Sequence, residues 1–77
     1  MSKTLPTTTE TIKAEFTDRA NYFSLMLMVA ESRGSSDQRN WCAYARRVML
    51  TLGYPAETAE WSDVRMCDYA DNIVVMG

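Results

Sequence analysis

A chain of 77 residues is one domain at most, and one so short is only marginally stable by itself. Its 47% hydrophobic and 23% charged content belongs to a globular chain and excludes a disordered one. The formal net charge of −2 is too mild for a DNA mimic and has the wrong sign for a general nucleic-acid binder.

Chains of this size often add disulfides, a metal or a second copy of themselves. With no His, and with Cys42 and Cys67 as the only thiols, neither a metal nor another cofactor is expected. A Cys42–Cys67 disulfide is geometrically open, but the spacing does not single it out. Self-association stays open as well. Charge is uneven: residues 1–52 carry net +2 and residues 53–77 carry net −4, an asymmetry able to orient a partner. The polar start Met1-Ser2-Lys3-Thr4-Leu5-Pro6 lacks the apolar stretch of a secretory signal. The longest apolar run, Leu25 to Ala30, is six residues, far short of the ~20 that span a bilayer. A cytoplasmic protein with both thiols free is the expectation.

Residues 1–8, with Pro6 and a Thr run, read as a flexible N-terminal arm. The single domain then covers 9–77. A long helix is predicted over Thr9 to Arg33, with Thr8 or Thr9 as N-cap and Glu10 at the positive end of its dipole. Successive 100° steps put Ile12, Phe16, Ala20, Phe23, Leu27 and Ala30 on one face. Gly34 supplies the left-handed residue that ends helices. Ser35 with Gln38 matches a capping box, and Asp37 adds charge to the first turn of a second helix that runs to about Leu52. Its buried stripe is Trp41, Tyr44, Ala45, Val48 and Leu52, with Met49 on the flank. Gly53-Tyr54-Pro55 is a strong stop, and Tyr54 can fold back on Met49. Pro55 can open a short helical turn through Glu60. Ser62 caps a third helix reaching about Val74, with Met66, Cys67, Ala70, Ile73 and Val74 inward. The β-branched tail 73–75 keeps a terminal strand as an alternative.

A loop of about three residues after the first helix favours an antiparallel hairpin. The expected fold is therefore all-α: a small three-helix domain whose long first helix packs as a hairpin on the second. At ~1.5 Å per residue that helix would be ~37 Å long, against a radius of gyration of ~11–12 Å for a compact chain of this size. Its first turns should project.

Catalysis finds little to work with. There is no His, no GxSxG and no phosphate-cradling glycine loop. Arg39 and Arg46 flank Cys42 on its helix and could lower its pKa, but Cys42 also borders the apolar stripe, where a buried thiol is the simpler reading. Asp68 and Asp71 sit a helical turn apart, as many solvated acids do. The chain is not expected to be an enzyme.

Two patches suggest binding. Tyr22, Leu25 and Val29, with Met28 nearby, form a second apolar stripe on the first helix. Either the other helices cover it, or it is a dimer seam or partner groove, where Met and aromatics are enriched. The projecting length favours the intermolecular contact. On the outer face of the second helix, Arg39, Arg46 and Arg47 ring Ala43 and Leu50. An ordinary solvated face explains this, and so does a protein contact, since arginine forks pair with carboxylates and stack on aromatics. Gln38, Arg39 and Asn40 after a Gly-containing turn also permit a helix-turn-helix-like DNA-binding regulator, although the long first helix and negative charge weigh against it. The acids Glu57, Glu60, Asp63, Asp68 and Asp71 could meet a basic surface, or simply solubilise the chain.

In size and composition the chain resembles the small inhibitors that bacteriophages encode, such as anti-CRISPR proteins and antagonists of host regulators. The resemblance covers format, not a motif. It implies a non-enzymatic protein that blocks another protein by stoichiometric binding through Arg39, Arg46, Arg47 and Leu50. Tyr22, Leu25, Met28 and Val29 would dimerise or join that contact. The expected partner is a protein, with a homodimer open and neither nucleic acid nor membrane expected. An assembly subunit that binds only copies of itself is the third class.

Overall fold

The computed structural model describes residues 9–76; the arm expected at 1–8 lies outside the described residues. Four helices follow in order: α1 (Thr9–Glu15), α2 (Arg19–Glu31), α3 (Gln38–Thr51) and α4 (Asp63–Met76), with a 3-10 turn at Ala56–Glu60 between the last two. The fold is all-α, and no strand occurs among the described residues.

The long first helix is instead two helices, although neither Gly nor Pro separates them. Polar side chains at the junction make the break. Asp18 leaves helical geometry with ψ 129°, and its carboxylate accepts the Ala20 N–H at 2.8 Å, which is an N-cap bond. The Thr17 hydroxyl donates back to the Lys13 carbonyl, and the Asn21 amide donates to the Glu15 carbonyl at 2.6 Å. Both helix ends thus have partners that an uninterrupted helix would not need.

This break changes which residues face inward. α1 does not project: it lies on α3, with Ile12 1% exposed and the Phe16 ring edge-on to Tyr44 at 6.1 Å. The radius of gyration is 11.7 Å, the value of a compact chain. The predicted face from Ile12 to Ala30 fails at the junction, because helical phase restarts at Asp18. Ala20 is exposed, Phe23 and Leu27 are half-buried, and Leu25, Met26 and Val29 enter the core. α2 packs chiefly against α4, and α3 packs against both.

The turn after α2 spans six residues, 32–37, rather than three. Ser32 is buried and its hydroxyl donates to the Val29 carbonyl at 2.7 Å. Gly34 takes φ +81°, and its N–H donates to the Gln38 side chain at 2.7 Å. Ser35 accepts the Asp37 N–H at 3.2 Å. The predicted capping box does not form: Asp37 is the N-cap, without a side-chain cap bond, and Gln38 reaches Gly34 instead of Ser35.

α3 ends where Gly53-Tyr54-Pro55 requires. Gly53 has φ +97°, its N–H donates to Leu50 at 3.1 Å, and the Tyr54 N–H donates to Met49 at 2.9 Å. That pair of bonds is the Schellman pattern. Thr58 of the 3-10 turn is buried and donates its hydroxyl to the Pro55 carbonyl at 3.0 Å. Ser62 caps α4 as predicted, accepting the Arg65 N–H at 3.2 Å. α4 stays helical to Met76, so the strand alternative falls. Among the described residues no helix is long and apolar enough to cross a membrane.

Candidate partner-binding surface

On α3, Arg39, Ala43, Arg47 and Leu50 are exposed in one strip, at helical intervals of four, four and three. Leu50 keeps 40% of its surface open. The opposite side of the same helix, Cys42, Ala45, Val48 and Met49, is fully buried, which fixes the direction the strip faces.

Arg46 does not belong to that strip. Its guanidinium donates to the Trp61 carbonyl at 3.0 Å and to the Asp63 carboxylate at 3.2 Å. Its side chain is 20% exposed, against 33% for Asp63. It clamps α3 to the segment that starts α4, so Arg46 is engaged within the chain rather than presented on the strip. The reason is local: from position 46 the helix points between the outer strip and the core, towards the acid at the head of α4.

The second expected patch is corrected more heavily. Leu25 is 3% exposed and Val29 not at all within a single copy. Tyr22 is half-buried. Only Met28 remains open, at 41%, beside a shallow cleft formed with Glu31, Ser35 and Trp41. The proposed seam is thus mostly interior, because α4 covers the side of α2 that a projecting helix would have left bare.

The charge asymmetry is taken up within the chain too. One Arg33 nitrogen lies 2.6 Å from Asp68 and 2.7 Å from Asp71, joining the end of α2 to α4. The two carboxylates that sit a turn apart on α4 therefore serve one guanidinium. Their bonds raise the Arg33 pKa, chiefly through Asp68.

Sequence reasoning missed an aromatic seam. Tyr22 stacks on Tyr54 at 5.8 Å between ring centres, and its hydroxyl lies 3.2 Å from that of Tyr69. Tyr69 tilts against Trp61 at 5.3 Å, and the Arg65 guanidinium sits 4.7 Å above the Trp61 ring, within cation–π range. Burial, reinforced by bonds to Tyr54 and Tyr69, holds the Tyr22 hydroxyl far above its ordinary pKa. The expected fold-back of Tyr54 is therefore towards α2. Also missed was an open apolar groove where the start of α2 meets the end of α4, lined by Arg19, Phe23, Ile73 and Met76 among others. Val75 and Met76 beside it are 84% and 85% exposed. The apolar tail 73–76 was the available signal.

The cysteines come together in the core. Their sulfurs are 3.7 Å apart and unbonded. Burial first, then the contact with Cys67, pushes the Cys42 thiol up to about 12, and the opposing pull of Arg46 is weaker. A nucleophilic thiolate needs the reverse.

Compared with known proteins, the chain matches no family model, no curated protein and no solved structure.

Proposed function

We propose that this chain is a small, non-enzymatic, cytoplasmic protein-binding protein that acts stoichiometrically by occupying a surface of another protein. The phage-encoded inhibitors it resembles in format, anti-CRISPR-like or aimed at a host regulator, are the class it is assigned to. The carrying observation is the exposed strip Arg39, Ala43, Arg47 and Leu50 on α3. The cationic fork of Arg39 beside an open leucine suits an acidic partner face with an apolar or aromatic centre. The strip rides on a helix already held by Arg46 and a buried inner face, so little ordering opposes binding. DNA binding is the weaker reading: the six-residue turn and the use of Gln38 by Gly34 leave fewer groups for base edges.

The test is affinity purification from the native cytoplasm with the wild-type chain and with Arg39→Ala and Leu50→Ala. A partner held by the wild type should be weakened by about 2 kcal/mol or more in at least one variant, with unchanged circular dichroism. Undiminished affinity in both variants would remove the strip from the interface.

A further inference from the structure

Cys42 on α3 and Cys67 on α4 are the only cysteines of the chain, and neither exposes any surface. Their sulfurs are 3.7 Å apart, against about 2.0 Å in a disulfide, so closing the gap takes a movement of less than about 2 Å. Neither thiol is held firmly elsewhere. Cys42 reaches the Asp63 carbonyl at 3.6 Å and Cys67 the Val29 carbonyl at 3.7 Å, and S–H is a weak donor. The Arg46–Asp63 bond keeps the two helices together beside the pair. We propose that Cys42 and Cys67 are a modification site, an intramolecular disulfide that a peroxide forms and that fastens α3 to α4.

The step balances with hydrogen peroxide as oxidant. During an opening of the helix pair that lifts the burial holding its pKa up, one thiol takes an oxygen from the peroxide, giving a sulfenic acid and one water. The sulfur of the other thiol attacks the sulfenyl sulfur, and the S–S bond forms as the S–O bond breaks. The departing hydroxide takes the attacking thiol's proton and leaves as the second water. The two thiols together lose two electrons, and the peroxide is reduced to two waters. Because both sulfurs are buried, oxidation waits on brief openings of the helix pair, and the finished bond is equally sheltered from small thiols. The cross-link joins residues 25 apart, which restricts the unfolded chain and raises the melting temperature. This inference does not rest on the partner-binding reading.

The test uses the full chain as monomer, dosed with hydrogen peroxide until the exposed Met28 and Met76 are converted to sulfoxide. The chain is then unfolded and alkylated with N-ethylmaleimide before or after reduction by a phosphine. The expected product is a monomer that takes no alkyl group before reduction and two after it, and that melts several degrees higher when left oxidised. Cys67→Ser should give no reducible monomer under the same dose. Thiols that alkylate without reduction, thiols blocked irreversibly, or disulfide-linked dimers would each overturn the proposal.

Discussion

α2 and α3 are both rich in apolar residues, yet they meet the rest of the molecule differently. α3 has a sharp division: Cys42, Ala45, Val48 and Met49 inward, Arg39, Ala43, Arg47 and Leu50 outward. α2 has apolar side chains nearly all round, and neighbours on several sides absorb them: α4 covers Leu25 and Val29, while Tyr54 and Tyr69 flank Tyr22. Most of the apolar surface of α2 is therefore accounted for by the elements that pack around it. The amphipathic helix, whose outer side is exposed at Arg39, Ala43, Arg47 and Leu50, is the better place to look for a partner.

The largest test of that contrast is truncation on α2. Leu25→Ala should cost about 2–5 kcal/mol in urea unfolding, the usual loss for a buried leucine. Met28→Ala, three residues away but open to solvent, should stay within about 0.5 kcal/mol. Equal and small effects, together with a concentration-dependent mass for the wild type, would return α2 to an intermolecular seam.

Next is the alkaline limb of stability, read under a reductant. The Cys42 thiol sits at about 12 in the fold against 9.0 ordinarily. The unfolded chain releases that proton first, so the contribution is complete below about pH 9 and is lost as pH rises towards about 12. Tyr22, raised by burial, has the same sign. The melting temperature should fall as pH rises from about 9 towards about 12, and less steeply in Cys42→Ala. An equal slope in the variant would place the titration elsewhere.

The two chain breaks show how far sequence carries. At Gly53 the stop depends on backbone geometry that only certain residues adopt, φ +97° followed by Pro55, so three letters announce it. At Phe16-Thr17-Asp18 no residue forbids a helix. The break exists because Asp18, Thr17 and Asn21 offer side-chain bonds to both helix ends while α1 gains a seat on α3. Competing local bonds of this kind are visible in sequence only as polar residues, and the seat on α3 is a tertiary fact. The same limit governs the site. The outer strip of α3 followed from helical spacing inside one intact helix. The diversion of Arg46 to Asp63 and Trp61, and the pairing of Cys42 with Cys67, depend on how α3 and α4 meet.

Asp18→Ala probes the illegible break directly. Losing the N-cap bond should cost about 1 kcal/mol, measured by denaturant midpoint. If the junction then straightens into one helix, the far-ultraviolet helical signal rises while stability falls. A variant with unchanged midpoint and signal would mean that packing of α1 on α3, and not the cap, makes the break.

The smallest expected effect separates charges that hold the fold from charges that face a partner. Arg33 bonds Asp68 and Asp71, but its side chain is 40% exposed and theirs are 63% and 48%, so water and salt screen the pair. Arg33→Ala should therefore lower the denaturant midpoint only slightly at low salt, and less again at high salt. Arg39→Ala, on the outer strip, should leave stability unchanged at either salt while weakening the partner. If instead Arg33→Ala alone reduced partner affinity, the contact would lie at the junction of α2 and α4. The amphipathic face of α3 would then be ordinary solvated surface.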